Sequence, residues 1–147
     1  MNYMDQALEA ARYAADQGEI PVGALIVSAD RQVLAVSGNR TIGLKDPTAH
    51  AEILVIREAC QKLGNERLVG CDLYVTLEPC AMCAAAISFA RLSRLYYGAE
   101  DLKGGAVDNG PRFFQSPTCH HAPEVYGQIG EEVSKTLLRT FFAARRP

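Results

Sequence analysis

The chain has 147 residues and a formal net charge of −2, a length that holds one domain with a proper core, so residues 1–147 read as a single domain. Its 48% hydrophobic and 22% charged composition is ordinary for a soluble globular protein. The charge excludes a protein-wide basic surface, leaving any nucleic-acid partner to a local patch, and no apolar run approaches the ~20 residues that span a membrane.

Met4, Ala7, Leu8, Ala11 and Ala15 share one helical face that Gly18 ends. Asp5, Glu9, Arg12 and Asp16 punctuate that segment, so it reads as an amphipathic helix rather than a signal peptide. Residues 22–29 are β-rich and apolar, and residues 33–36 follow a short turn, which predicts a hairpin. Residues 38–45 read as loop. Asp46 as N-cap and Pro47 at the first helical position predict a helix running from there through His50, Glu52, Leu54 and Ala59 to Gly64. A strand is expected over 71–77, then a helix opened by Pro79 that is apolar nearly all round and therefore buried. A strand over 94–97, a long loop over 103–117, a short edge strand over 125–129 and a helix over 131–146 complete the chain. A hairpin followed by alternating helix and strand means a mixed sheet with helices on its faces.

The chemistry concentrates in His50-Ala51-Glu52 and Pro79-Cys80-Ala81-Met82-Cys83. This H-x-E…P-C-x-x-C pattern is the signature of zinc-dependent nucleobase deaminases. One His and two Cys hold a zinc ion and leave its fourth position open, as a catalytic site requires. Cys80 and Cys83, three apart at a helix start, reach one ion from one face, and a helix N-terminus favours the thiolate that binds metal. Glu52 is then left to move protons. A zinc ribbon would need a second C-x-x-C, and a thioredoxin-like pair needs no H-x-E. Five Cys is an odd count, and without a secretory signal it favours a reducing compartment over disulfides. Cys60 and Cys71 read as buried apolar residues. Cys119-His120-His121 cannot all point at one ion in regular structure, so His121 reads as a polar contact at the active-site rim. Taken alone, Asn39 reads as a turn residue, Asp101 as a loop carboxylate, and Lys135, Arg139, Arg145 and Arg146 as a solvated face. Of the adjacent Phe141 and Phe142, one is expected buried and one exposed.

At these residues the chain resembles the cytidine-deaminase-like superfamily, and within it the bacterial tRNA adenosine deaminases that make inosine at the wobble position. The likeness runs from about Met4 to Arg146. It is carried by Glu19-Ile20-Pro21-Val22-Gly23-Ala24, Gly38-Asn39-Arg40, residues 46–52, Leu73-Tyr74-Val75-Thr76-Leu77-Glu78 leading into the cysteine motif, and Phe141-Phe142 with Arg145-Arg146 in the tail. It implies a three-layer α/β/α sandwich around a mixed five-stranded sheet. It also implies a cytoplasmic homodimer, with one Zn²⁺ per subunit, acting on a tRNA anticodon stem-loop. By the same resemblance His50, Cys80 and Cys83 bind zinc and Glu52 shuttles protons. Asn39, with Val22 and the Ala51 backbone, would hold the flipped base. Asp101 would contact sugar, Lys103, Arg145 and Arg146 phosphates, and Phe142 a flanking base. Residues 104–117 differ from the commoner family form, and Ala143-Ala144 stand where the family often has a basic or larger residue.

Three readings follow. The first is wobble-adenosine deamination, where an unstacked loop base enters a pocket cheaply. The second is a deaminase of a free base such as guanine, with the same metal and Glu but a closed lid. The third is a non-catalytic zinc-binding subunit, from which the shuttle Glu would be expected to be lost.

Overall fold

A computed structural model describes residues 2–145. Helix α1 (Tyr3–Asp16) leads into β1 (Gly23–Val27) and β2 (Val33–Gly38), then α2 (Ala51–Leu63), β3 (Asp72–Leu77), α3 (Ala81–Phe89), β4 (Arg94–Ala99), β5 (Glu124–Tyr126) and α4 (Glu131–Arg145). The five strands lie in the order β2-β1-β3-β4-β5. β1 is antiparallel to β2 and β3, while β3-β4 and β4-β5 are parallel. The sheet is therefore mixed, as expected from the order of the elements.

Alternation along the strands builds two cores. Ala24 and Ile26 of β1, Leu73 and Val75 of β3, and Leu95 and Tyr97 of β4 pack with Val55 and Ala59 of α2 and Ile87 of α3. The opposite face carries Tyr74 and Tyr96 against Met4, Ala7 and Leu8 of α1 and Leu137 of α4. Two helices on each face make the three layers. Tyr74, Tyr96 and Tyr126 stack across β3, β4 and β5, with centroids 4.4 and 5.0 Å apart, and Tyr3 of α1 tilts onto Tyr74 at 5.3 Å. Gly23 lets α1 approach: a Cβ there would strike the Ala7 carbonyl oxygen and lie 2.7 Å from the Ala11 nitrogen.

One boundary differs materially from the expectation. The second helix starts at Ala51, with His50 as its N-cap, not at Pro47. Asp46 closes a local turn instead, its Oδ1 accepting from Thr48 N–H at 2.8 Å and Thr48 Oγ1 at 2.7 Å, an alternative that Asp offers the backbone in competition with helix capping. The last strand is also shorter than the expected 125–129.

Candidate active site

Two helix N-termini meet at the motif. His50 precedes α2, and Ala51 and Glu52 are the first two residues of that helix. Cys80 precedes α3, and Cys83 lies in its first turn. His50 Nδ1 stands 3.6 Å from Cys80 Sγ and 3.5 Å from Cys83 Sγ. The three donor atoms lie within 4.8 Å of one another, the one such cluster among the described residues. Tetrahedral zinc, with Zn–N of about 2.0–2.1 Å and Zn–S of about 2.3 Å, spans N···S edges of about 3.5 Å. Donor types and spacing therefore fit zinc, with a coordination position to spare.

The two thiols share a proton, with His50 beside them. A hydrogen bond from the Cys83 thiol, aided by His50, holds Cys80 down to about 4 despite burial. Cys83 is pushed up by donating to Cys80 and by burial, with the Glu52 charge adding to both. The hydrogen bond to Cys80 raises the His50 pKa. A dication among these atoms favours both thiolates and opposes the shift on Cys83. Glu52 is only 4% exposed. Burial first, then the negative charge of Cys80, raises its pKa to about 7.

The sequence-predicted base-holding residues gather beside this cluster. Asn39 N–H donates to Val22 O at 3.0 Å, and Asn39 Oδ1 accepts the Ala51 N–H at 2.8 Å. Asn39 thus caps α2 from a distant loop, in place of any side-chain cap from His50. The Ala51 N–H is committed to Asn39, and among the described residues nothing accepts from Asn39 Nδ2.

Asp101, Lys103, Phe142 and Arg145 line one hollow of about 710 Å³, together with Ile20, Leu77 and Leu138. The metal-cluster residues are not among its walls, but Leu77 ends β3 three positions before Cys80. Phe141 is 7% exposed and Phe142 42%, so the pair divides between core and hollow as expected. Arg145 folds back over the Phe141 ring, 3.5 Å from its centroid, and donates to the Phe141 carbonyl. Arg146 lies outside the described residues.

The expectation for His121 is corrected. Its Nε2 lies 2.7 Å from Leu92 O, at the end of β4 away from the metal cluster. Beside it Cys119 contacts Ser88 near the far end of α3 and the His121 carbonyl. These ties hold the loop against the far end of α3 and the residues leading into β4, not at the active-site rim. Cys71 is buried as expected while Cys60 is half-buried, and burial raises the pKa of both thiols.

Two carboxylates received no role from the sequence. Glu19 is buried and accepts from the N–H groups of Ile42 and Gly43 at 3.1 and 2.8 Å. Glu78 is buried and accepts from the loop that carries Asp101. The available signal was a carboxylate one or two residues before Pro, at an edge of an apolar strand.

The cytidine and deoxycytidylate deaminase zinc-binding region matches residues 1–99. The tRNA-specific adenosine deaminase of Agrobacterium fabrum (strain C58) is 61% identical over 145 residues, covering 99% of this chain and 95% of that protein. A solved structure from a study of A-to-I editing by tRNA:A34 deaminases at the wobble position superposes with a TM-score of 0.91 at 62% identity, over 92% of this chain and 98% of that one. A guanine deaminase structure from Bacillus subtilis is more distant, with a TM-score of 0.66 and 30% identity over 100% of this chain and 99% of the other. With this identity over nearly the full length, and the zinc-binding region in place, the chain belongs to the tRNA-specific adenosine deaminases.

Proposed function

We propose that this protein hydrolyses adenosine to inosine at the wobble position of a tRNA anticodon loop, releasing ammonia. Glu52, buried against a His50–Cys80–Cys83 donor set that leaves one metal position open, carries the deaminase chemistry, and the 61% identity to a tRNA-specific adenosine deaminase, against 30% to a guanine deaminase, carries the substrate. When bound through these three side chains, zinc supplies the Lewis acidity that makes water a nucleophile near neutral pH. Glu52 takes the proton that water gives up and returns protons to the purine ring nitrogen and the departing amine. The water oxygen first adds to C6 as the ring nitrogen takes its proton, and the C6–N bond then breaks as the amine is protonated, so water and adenosine become inosine and ammonia. Asn39 Nδ2 donates to the flipped base, with Val22 packed on it and Asn39 itself steadied by Ala51. Asp101 meets sugar, Lys103, Arg145 and Arg146 meet phosphate, and Phe142 offers its exposed ring to a flanking base.

Exposed Phe89 (69%), on a helix apolar nearly all round, supports a homodimer. The free cysteines support a reducing, cytoplasmic setting, and no helix among the described residues is long and apolar enough to cross a membrane.

The test is an anticodon stem-loop carrying adenosine at the wobble position, assayed beside free guanine, adenine and cytosine. Inosine from the stem-loop alone is expected; ammonia from a free base with an untouched stem-loop overturns the reading. Glu52→Ala should keep zinc and fold while lowering turnover by roughly 10²-fold or more. Surviving activity would remove Glu52 from the mechanism.

A further inference from the structure

Glu78 stands between the last residue of β3 and Cys80 and is 2% exposed. Burying a carboxylate is costly unless its oxygens are well satisfied. Here a single loop satisfies them. Oε1 accepts from Asp101 N–H at 3.1 Å and Asn109 Nδ2 at 2.7 Å. Oε2 accepts from the N–H groups of Val107, Asp108 and Asn109 at 3.0, 2.9 and 3.1 Å. Burial alone would raise the Glu78 pKa, and these donors outweigh it and hold it low.

The clamped segment is closed on itself as well. Asp101 O accepts from Gly105 N–H at 2.9 Å, and Asp101 Oδ1 accepts from Lys103 and Gly104 N–H at 3.1 and 2.9 Å. Gly105 is pressed against the clamp: a Cβ there would lie 2.5 Å from both Asp101 O and Glu78 Cδ. The near end of this loop supplies Asp101 and Lys103 to the hollow that also holds Phe142. One side chain therefore ties the hollow's wall to a backbone position two residues from a metal ligand.

We propose that Glu78 is a positioning residue for the substrate RNA: it fixes Asp101 and Lys103 relative to the metal cluster and so sets how tightly the anticodon loop is held. The inference rests on the wobble-adenosine reading. Glu78 touches neither the cluster donors nor the base-holding Asn39, so its loss falls on RNA binding more than on the chemical step. Lost binding shared by ground and transition states raises KM and spares kcat.

Two variants approach the clamp from opposite sides. Glu78→Gln keeps the shape but puts N–H donors where the loop N–H groups need an acceptor. Gly105→Ala leaves the carboxylate intact and pushes the loop away from it. Each is expected to raise KM for the stem-loop by roughly tenfold or more, with a smaller change in kcat and one zinc retained per chain by metal analysis. Glu78→Asp, which keeps the charge on a shorter arm, should recover part of the loss. An unchanged KM in both variants, with zinc intact and an active wild type, overturns the inference alone. A fall in kcat without a rise in KM, or loss of zinc, also overturns it by making Glu78 a support of the metal site. A wild type that converts no stem-loop adenosine sinks the functional reading and this inference with it.

Discussion

Asn39 has one end of its amide engaged and the other open to a second partner. Its Oδ1 takes the first N–H of α2, while its Nδ2 is the donor proposed for the base. The two roles separate by substitution. Asn39→Ala loses both, and should cost ~1 kcal/mol of stability from the uncapped helix along with most activity. Asn39→Asp keeps an acceptor for Ala51 and should hold stability while losing activity; urea denaturation beside stem-loop kinetics checks the pair. Equal stability in both would mean that the cap contributes nothing. This double role was not legible in Ser-Gly-Asn-Arg, because the bond spans 12 residues of sequence. The clustering of His50, Cys80 and Cys83 was legible, since Cys80 and Cys83 are tied by helical spacing and His50 by its own motif. Glu78 was quoted within that motif yet silent, because its partners lie 23 to 31 residues further on.

At the scale of elements, residue pattern and turn signals located every α-helix and strand but not the short 3-10 turn at Phe113–Gln115 inside the expected loop, and the misplaced boundary was decided by local competition. Asp46 and Pro47 form a sound helix-start signal, but Asp46 spends its carboxylate on Thr48. The helix then begins where Asn39, supplied by tertiary structure, can cap it. That delay matters chemically: it sets His50 just outside the helix and leaves Glu52 in its first turn. Contact between α1 and the hairpin depends on an absent side chain. Gly23→Ala drives a methyl into the Ala7–Ala11 stretch of α1, and should cost about 1–3 kcal/mol by overpacking, read as a lower urea midpoint. An unchanged midpoint would show that α1 shifts freely on the sheet.

Across the whole molecule, the metal site joins the beginnings of α2 and α3 on one face of the sheet. Metal held there would tie two helices together as well as serve the proposed chemistry, since ligation favours the folded state by mass action. Stripping zinc with a chelator should abolish activity and lower the unfolding temperature by roughly 5–10 °C, with both restored by added zinc. Loss of activity without a thermal shift would confine the metal to chemistry. The layered architecture was legible from element order alone. The hollow formed by Asp101, Lys103 and Phe142 was not, because α4 and the loop after β4 meet only once the sheet is assembled.

The tyrosine stack gives the protein an unequal optical voice. There is no tryptophan, and four of the six tyrosines are Tyr3, Tyr74, Tyr96 and Tyr126. Near-ultraviolet dichroism will thus report chiefly on the face packed by α1 and α4, against a smaller contribution from Tyr97, buried on the face that carries the His50–Cys80–Cys83 cluster. Recording that signal alongside release of zinc to a colorimetric chelator listens to the two faces separately. Coincident curves would mark a single cooperative unit, and zinc leaving first would reveal the catalytic face loosening while its reverse side remains intact.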